Sequence, residues 1–103
     1  MTYVLAFNIA PGRSGEFWNY MDDVAAPFWR RFPEVSSLKI YTVIGGPRLY
    51  EAHIELSDFA AFDRIRKNAD WHIVSREFLS LVEDVSEHFL TKEKEYIQLR
   101  PAA

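Results

Sequence analysis

The sequence contains no cysteine, and this absence excludes several kinds of chemistry at once. Without cysteine the chain has no disulfide, no thiolate nucleophile and no cysteine-ligated metal. Its three histidines, His53, His72 and His88, do not share a ligand spacing such as His-Glu-x-x-His. The sequence therefore predicts no metal site and no cofactor.

An excess of basic residues and a long apolar run are also missing. The 12 Lys and Arg against 15 Asp and Glu give a net charge of -3, whereas nucleic-acid-binding proteins usually carry a basic face. No stretch approaches the ~18 apolar residues of a membrane span, and the N-terminus lacks a basic segment followed by an apolar run. We therefore expect a cytoplasmic protein that binds neither nucleic acid nor a membrane.

The first predicted strand, residues 3–10, is apolar on both of its faces. Successive side chains of a strand point to opposite sides of a sheet, so the bulky residues of one face need one apolar cover, while Val4 and Ala6 on the other need a second. A chain of 103 residues, which we interpret as a single domain over 1–103, supplies only one of these covers. The sequence therefore predicts a homodimer with a chamber between its two sheets.

The apolar pattern predicts six elements in the order β-α-β-β-α-β. Pro27 is expected to kink or interrupt the first helix, and Gly45-Gly46-Pro47 joins the two middle strands as a hairpin. Apolar residues at helical spacing predict a helix from Trp71 to Phe89, followed by a last strand over about residues 92–99. This order predicts an α+β, ferredoxin-like fold, an antiparallel sheet with helices on one face.

Alternation along the third strand places Glu51 and His53 together on the sheet face away from the helices. A histidine can accept a proton from an acidic carbon or a phenol, and a neighbouring carboxylate can orient the imidazole. We predict that His53 is a catalytic base and Glu51 its orienting partner. A polar pair at the seam of the dimer or on a solvated strand is the alternative interpretation.

Four further residues are predicted to line the chamber beside this pair. Val4 and Ala6 are small and leave room for a ligand, while Asn8 and Tyr41 supply hydrogen-bond donors. Local backbone bonding explains Asn8 equally well, and cross-strand pairing explains Tyr41 equally well.

Three segments share a layout with a known group of proteins: Pro11-Gly12-Arg13 between a strand and a helix, the strand Leu49-Tyr50-Glu51-Ala52-His53, and Asn68-Ala69-Asp70-Trp71 at a helix break. Together they resemble the dimeric α+β barrel superfamily, and within it the antibiotic-biosynthesis-monooxygenase-like and NIPSNAP-like proteins. The third strand departs from the first branch by carrying His53 where Trp is usual. The resemblance implies that two sheets pair through their open faces. It also implies a cavity between sheet and helices for an apolar or aromatic small molecule, with Trp71 and His72 near its mouth.

Two functions remain open from the sequence. One is a small cofactor-independent enzyme, of monooxygenase or isomerase/cyclase type, that acts on an aromatic or polyketide-like molecule. The other is a non-catalytic dimeric ligand-binding or interaction module in which the same polar residues organise the interface. Because the superfamily hosts many reactions, its fold does not select between the two.

Overall fold

A computed structural model describes residues 1–97 as a four-stranded antiparallel sheet with helices on one face. The strand order across the sheet is β2-β3-β1-β4, so β1 and β3 are the central strands. This arrangement confirms the predicted ferredoxin-like fold. In chain order the elements are β1 (Thr2–Ile9), α1 (Ser14–Tyr20), a π-helical segment (Met21–Ala25), α2 (Ala26–Arg30), β2 (Val35–Thr42), β3 (Tyr50–Leu56), α3 (Phe59–Arg66), α4 (Trp71–Leu81) and β4 (Val82–Leu90).

The core lies between the helices and one face of the sheet. Tyr3 and Phe7 of β1 are 2% and 0% exposed, and Ile54 and Leu56 of β3 are 1% and 4% exposed. All four belong to one apolar cluster with side chains from the helices. The alternation predicted for both strands is therefore confirmed, and the residues between these positions point to the opposite face.

The first helical stretch is continuous from α1 through the π-helical segment to α2. Pro27 lies in the first turn of α2, directly after the π-helical segment. Proline has no backbone N–H and its ring crowds the preceding turn, and a local π-helical turn is one way in which a helix absorbs such an irregularity. The predicted disturbance at Pro27 thus takes the form of a wider turn rather than a break.

The end of the chain differs from the prediction. The helix expected to run to Phe89 ends at Leu81, and the last strand occupies Val82–Leu90 instead of about 92–99. Residues 92–97 are not in a strand, and positions 98 and 99 of the predicted strand lie outside the described residues. Both predictions were wrong because strand pairing with β1 over most of its length outweighs the helical spacing of the apolar residues.

A β-bulge explains why the apolar residues of this strand have helical spacing in the sequence. The register between β1 and β4 shifts between Ala6 and Asn8, and Asp84 has a φ of 53°, in the left-handed region. The extra residues of a bulge interrupt strict alternation, so that Val82, Val85 and Phe89 are separated by three and four positions.

None of the helices in residues 1–97 has the length and apolar character needed to cross a membrane.

Candidate functional site

A cavity of about 470 Å³ lies between the helix-facing side of the sheet and the helices. Its volume falls in the usual range for sites that hold small organic molecules. Strands β1, β3 and β4 contribute to one wall, and α1, the π-helical segment, α2 and α4 contribute to the other. Most of the lining is apolar or aromatic, as in Leu5, Ala25, Trp29, Trp71, Val74 and Phe78.

Tyr3 and Glu87 form the polar corner of this cavity. The Tyr3 hydroxyl donates a hydrogen bond to Glu87 Oε2. The Tyr3 ring packs with its centroid 4.7 Å from that of Phe62 and 5.1 Å from that of Phe89. Burial, with added contributions from the hydrogen bond and the negative charge of Glu87, raises the pKa of Tyr3 above its ordinary value. The hydroxyl therefore stays protonated and remains a donor.

A second buried tyrosine braces the cavity wall. The Tyr20 hydroxyl donates to the backbone carbonyl of Val74 at 2.7 Å, which ties α1 to α4. Burial, followed by the negative charge of Glu77, raises the pKa of Tyr20. Since this hydroxyl already has a backbone partner, Tyr20 serves the wall of the cavity rather than offering a free donor to a ligand.

The structure brings Glu51, His53 and Tyr41 together on the open face of the sheet. His53 Nε2 lies 2.9 Å from Glu51 Oε1, and the Tyr41 ring centroid lies 4.7 Å from that of His53. Val4 pairs with His53 and Ala6 pairs with Glu51 across β1 and β3. All five predicted residues therefore share one surface, which we call the open-face cluster.

The open-face cluster and the cavity lie on opposite sides of the sheet. Ala52 and Ile54 of β3 line the cavity, and their neighbours Glu51 and His53 point the other way. His53 and Glu51 therefore do not reach a molecule held between sheet and helices. Their catalytic role stays a prediction for a molecule bound on the open face.

Asn8 holds the β2–β3 connection against β1. Its Nδ2 donates to the carbonyl of Pro47 at 3.0 Å, and its Oδ1 accepts from the backbone N–H of Leu49 at 2.8 Å. Both ends of the amide are thus bonded to backbone. A ligand-binding role for Asn8 stays a prediction and would require exchange of one of these hydrogen bonds.

Trp71 and His72 are adjacent in sequence but lie in different surroundings. Trp71 lines the cavity, with its ring centroid 5.8 Å from that of Trp29. His72 is exposed and its ring contacts Arg76, one turn further along α4. The structure therefore brings Trp71 to the cavity and leaves His72 on the surface. The binding roles of both residues stay predictions.

Sequence reasoning missed the Tyr3–Glu87 pair. Tyr3 is one of the bulky residues on one face of the first predicted strand, and Glu87 falls inside the helix predicted from Trp71 to Phe89. Only a correct assignment of residues 82–90 as a strand would have placed Glu87 beside β1. Among residues 1–97 no three His, Asp or Glu side chains converge as they would around a metal ion.

Comparison with known proteins supports the fold. No family model and no curated protein sequence matches the chain. The chain is similar to SnoaB, a cofactor-independent oxygenase from Streptomyces nogalater, with a TM-score of 0.76 and 18% identity over 94% of this chain and 96% of that one. It is also similar to a candidate antibiotic biosynthesis monooxygenase from Bordetella bronchiseptica, with a TM-score of 0.74 and 17% identity over 88% of this chain and 94% of that one.

A third similar structure is a DABB family protein with a ferredoxin-like fold from Mesorhizobium loti. Its TM-score is 0.73 and its identity 18%, over 88% of this chain and 95% of that one. At these identities the likeness establishes the fold alone. The resemblance to the antibiotic-biosynthesis-monooxygenase-like proteins is thus confirmed at the level of the fold, and the NIPSNAP-like resemblance stays a prediction.

Proposed function

We propose that this chain is a small cofactor-independent enzyme, of monooxygenase or isomerase/cyclase type, that acts on an aromatic or polyketide-like molecule in the sheet–helix cavity. The observation that carries the proposal is a largely apolar, aromatic-lined cavity of about 470 Å³ with a hydrogen-bonded pair, Tyr3 and Glu87, at one corner. The description of SnoaB as a cofactor-independent oxygenase, on a chain of the same fold, supports this class of reaction.

The cavity walls favour a planar ligand. Trp29 and Trp71 meet edge to face, with their ring planes at 89°. Phe78 lines the same cavity. Aromatic rings bind other flat rings through offset-stacked and edge-to-face contacts, in addition to the gain from burying apolar area. A polycyclic or hydroxylated aromatic molecule satisfies these walls without requiring further charged partners.

Exclusion of water gives such a site its chemical value. Reactions of this type begin with transfer of a proton from an acidic carbon or a phenol to a base, and Glu87 is the one carboxylate of the described lining that can accept it. The monooxygenase type then uses dioxygen as its second substrate: one oxygen atom enters the organic molecule and the other leaves as water. An apolar cavity strengthens the electrostatic contacts made by its few polar groups and protects a reactive anion from water. The enzyme proposal therefore assigns orientation and shielding to the walls.

A second function is favoured by the uncovered sheet face. The open-face cluster lies where the sheet has no helix of its own, and its polar side chains Tyr41, Glu51 and His53 are partly exposed there, whereas Val4 and Ala6 are already buried within the single chain. We propose that a second copy of the chain covers this face and forms the homodimer. In the alternative function the dimer is a non-catalytic binding or interaction module, and Glu51 with His53 organises its interface.

Turnover with a blocked cavity separates the two functions. Ser75 lines the cavity from α4, so Ser75→Trp fills it, whereas Ser80→Trp places the same ring at an exposed position of α4 outside the lining. We expect the wild type and Ser80→Trp to convert members of a panel of hydroxylated polycyclic aromatics in air without added metal or cofactor, and Ser75→Trp to lose this activity. Binding without conversion would favour the interaction module, and activity retained by Ser75→Trp would contradict the cavity as the site.

A further inference from the structure

We infer that Glu87 makes the cavity selective for an uncharged planar ligand that presents a hydroxyl donor, a phenol or an enol, at the Tyr3–Glu87 corner. This inference rests on the proposed function, because it assumes that the ligand occupies the sheet–helix cavity. It adds the chemical class of the ligand and the residue that determines this class.

The charge of the cavity lining favours an uncharged ligand. Among the described residues that line the cavity, Glu87 is the only one whose side chain is charged at neutral pH. An ionised carboxylate accepts hydrogen bonds and donates none. A ligand hydroxyl placed beside it gains a charge-assisted hydrogen bond, whereas a ligand carboxylate placed there is repelled and finds no cation in the described lining to offset the repulsion.

The Glu87 carboxylate has acceptor capacity left for a ligand hydroxyl. Oε2 accepts from Tyr3, and no other side-chain or backbone group of residues 1–97 donates to the carboxylate. A carboxylate has about four lone-pair sites, so Glu87 can serve a ligand without giving up Tyr3. The Tyr3 ring, 2% exposed, is fixed by its aromatic neighbours, so the hydrogen bond also orients the carboxylate.

Glu87 lies at the solvent-exposed side of the cavity. Glu87 on β4 and Leu79 on α4 are the exposed members of the lining, so the cavity meets solvent between these two elements. The apolar lining residues Ala25, Val74 and Phe78 are buried. A ligand whose rings occupy the interior therefore keeps its hydroxyl at the entrance, where Glu87 receives it.

Equilibrium dialysis with three naphthalenes tests this inference. The probes are 2-naphthol, its methyl ether 2-methoxynaphthalene, and 2-naphthoate, which share a ring system and differ in one group. Since hydrogen bonds to charged groups are stronger than neutral ones, we expect the wild type to bind 2-naphthol about tenfold more tightly than either other probe. In Glu87→Gln the carboxamide oxygen can still accept from Tyr3, but the charge is lost. For this variant we expect the affinity for 2-naphthol to lie within about threefold of the affinities for the other two probes, mainly because 2-naphthoate binds more tightly.

Glu83→Gln is the matched control, because Glu83 is an exposed glutamate of the same strand outside the lining, and it should keep the wild-type preference. Tyr3→Phe is a second variant that retains the Glu87 charge, so it should still discriminate against 2-naphthoate. Equal binding of all three probes by the wild type, or an unchanged wild-type preference in Glu87→Gln, would overturn the role of Glu87 and leave the cavity proposal standing. No binding of any probe by the wild type would overturn both.

Discussion

At the level of single residues, two buried tyrosine hydroxyl groups have hydrogen-bond partners in distant parts of the chain. Tyr3 donates to Glu87, 84 positions away, and Tyr20 donates to the carbonyl of Val74, 54 positions away. Buried polar groups are costly unless they are hydrogen-bonded, and each of these hydroxyls is paired. Each bond therefore joins two elements that border the cavity.

The raised pKa values of Tyr3 and Tyr20 predict a loss of stability at alkaline pH. Up to about pH 10 the folded and unfolded chains both keep these protons; above it the unfolded chain loses them at the ordinary tyrosine pKa of about 10, while the folded chain keeps them. The free energy of unfolding should then fall by roughly 1.4 kcal/mol per pH unit for each of the two tyrosines. Urea unfolding between pH 9 and 11 measures this slope.

Tyr3→Phe should make this alkaline slope shallower by one tyrosine's share, while the control Tyr96→Phe should leave it unchanged, because Tyr96 is 63% exposed. Identical slopes for the wild type and Tyr3→Phe would show that Tyr3 ionises as readily in the folded chain as in the unfolded one. The structure would then be wrong about the surroundings of this hydroxyl.

The sequence was sufficient to place Glu51 and His53 side by side, because residues two apart on an unbulged strand share a face. The 2.9 Å contact between them does not follow from alternation alone, because the backbones of such residues are ~7 Å apart. The Tyr3–Glu87 corner could not be predicted in the same way. It depends on the pairing of β4 with β1, whereas the helical spacing of the apolar residues assigns residues 82–90 to a helix.

At the level of secondary-structure elements, β4 is a strand whose apolar spacing predicted a helix. Residues 82–90 carry apolar side chains at helical spacing, yet they pair with β1 and contain a bulge at which Asp84 adopts a φ of 53°. The first three strands and the first helical stretch could be predicted because their alternation, helical spacing and turn residues agree with the final fold. The boundary at Leu81 could not, because tertiary pairing overrides local spacing there.

The start of α3 provides a test of local structure. Asp58 precedes the first residue of this helix, and its side chain accepts a hydrogen bond from the backbone N–H of Ala61 at 2.7 Å. Asp58→Ala should lower the free energy of unfolding by about 1 kcal/mol, as measured by urea denaturation. Ser57→Ala should change it by less than about 0.5 kcal/mol. A larger effect at Ser57 than at Asp58 would show that the helix begins elsewhere.

At the scale of the whole molecule, the sheet separates two surfaces with different character. One faces the cavity and carries the Tyr3–Glu87 corner, and the other carries the open-face cluster of Val4, Ala6, Tyr41, Glu51 and His53. A ligand in the cavity and a second copy on the open face do not compete for the same residues. The enzyme proposal and the dimer proposal can therefore be tested independently.

The proposed dimer predicts a mass of about twice 12.1 kDa in sedimentation equilibrium at micromolar concentration. Ala6 faces Glu51 across β1 and β3, so Ala6→Glu would add a second negative charge to the buried seam. An unpaired buried charge costs several kcal/mol, and the variant should sediment as a monomer. Ser80→Glu, on the exposed side of α4, should remain dimeric. A dimer unaffected by Ala6→Glu would place the interface away from the open face.

The central claim is that a planar aromatic ligand occupies the space between sheet and helices rather than the open face. Intermolecular nuclear Overhauser effects between 2-naphthol and the methyl groups of the isotope-labelled protein test it directly, because methyl groups mark both surfaces. We expect contacts from the ligand to Leu5, Ala25 and Val74, which line the cavity, and none to Val4 or Ala6. Contacts to Val4 and Ala6 without contacts to the cavity methyl groups would contradict it and place the binding site between the two sheets of the dimer.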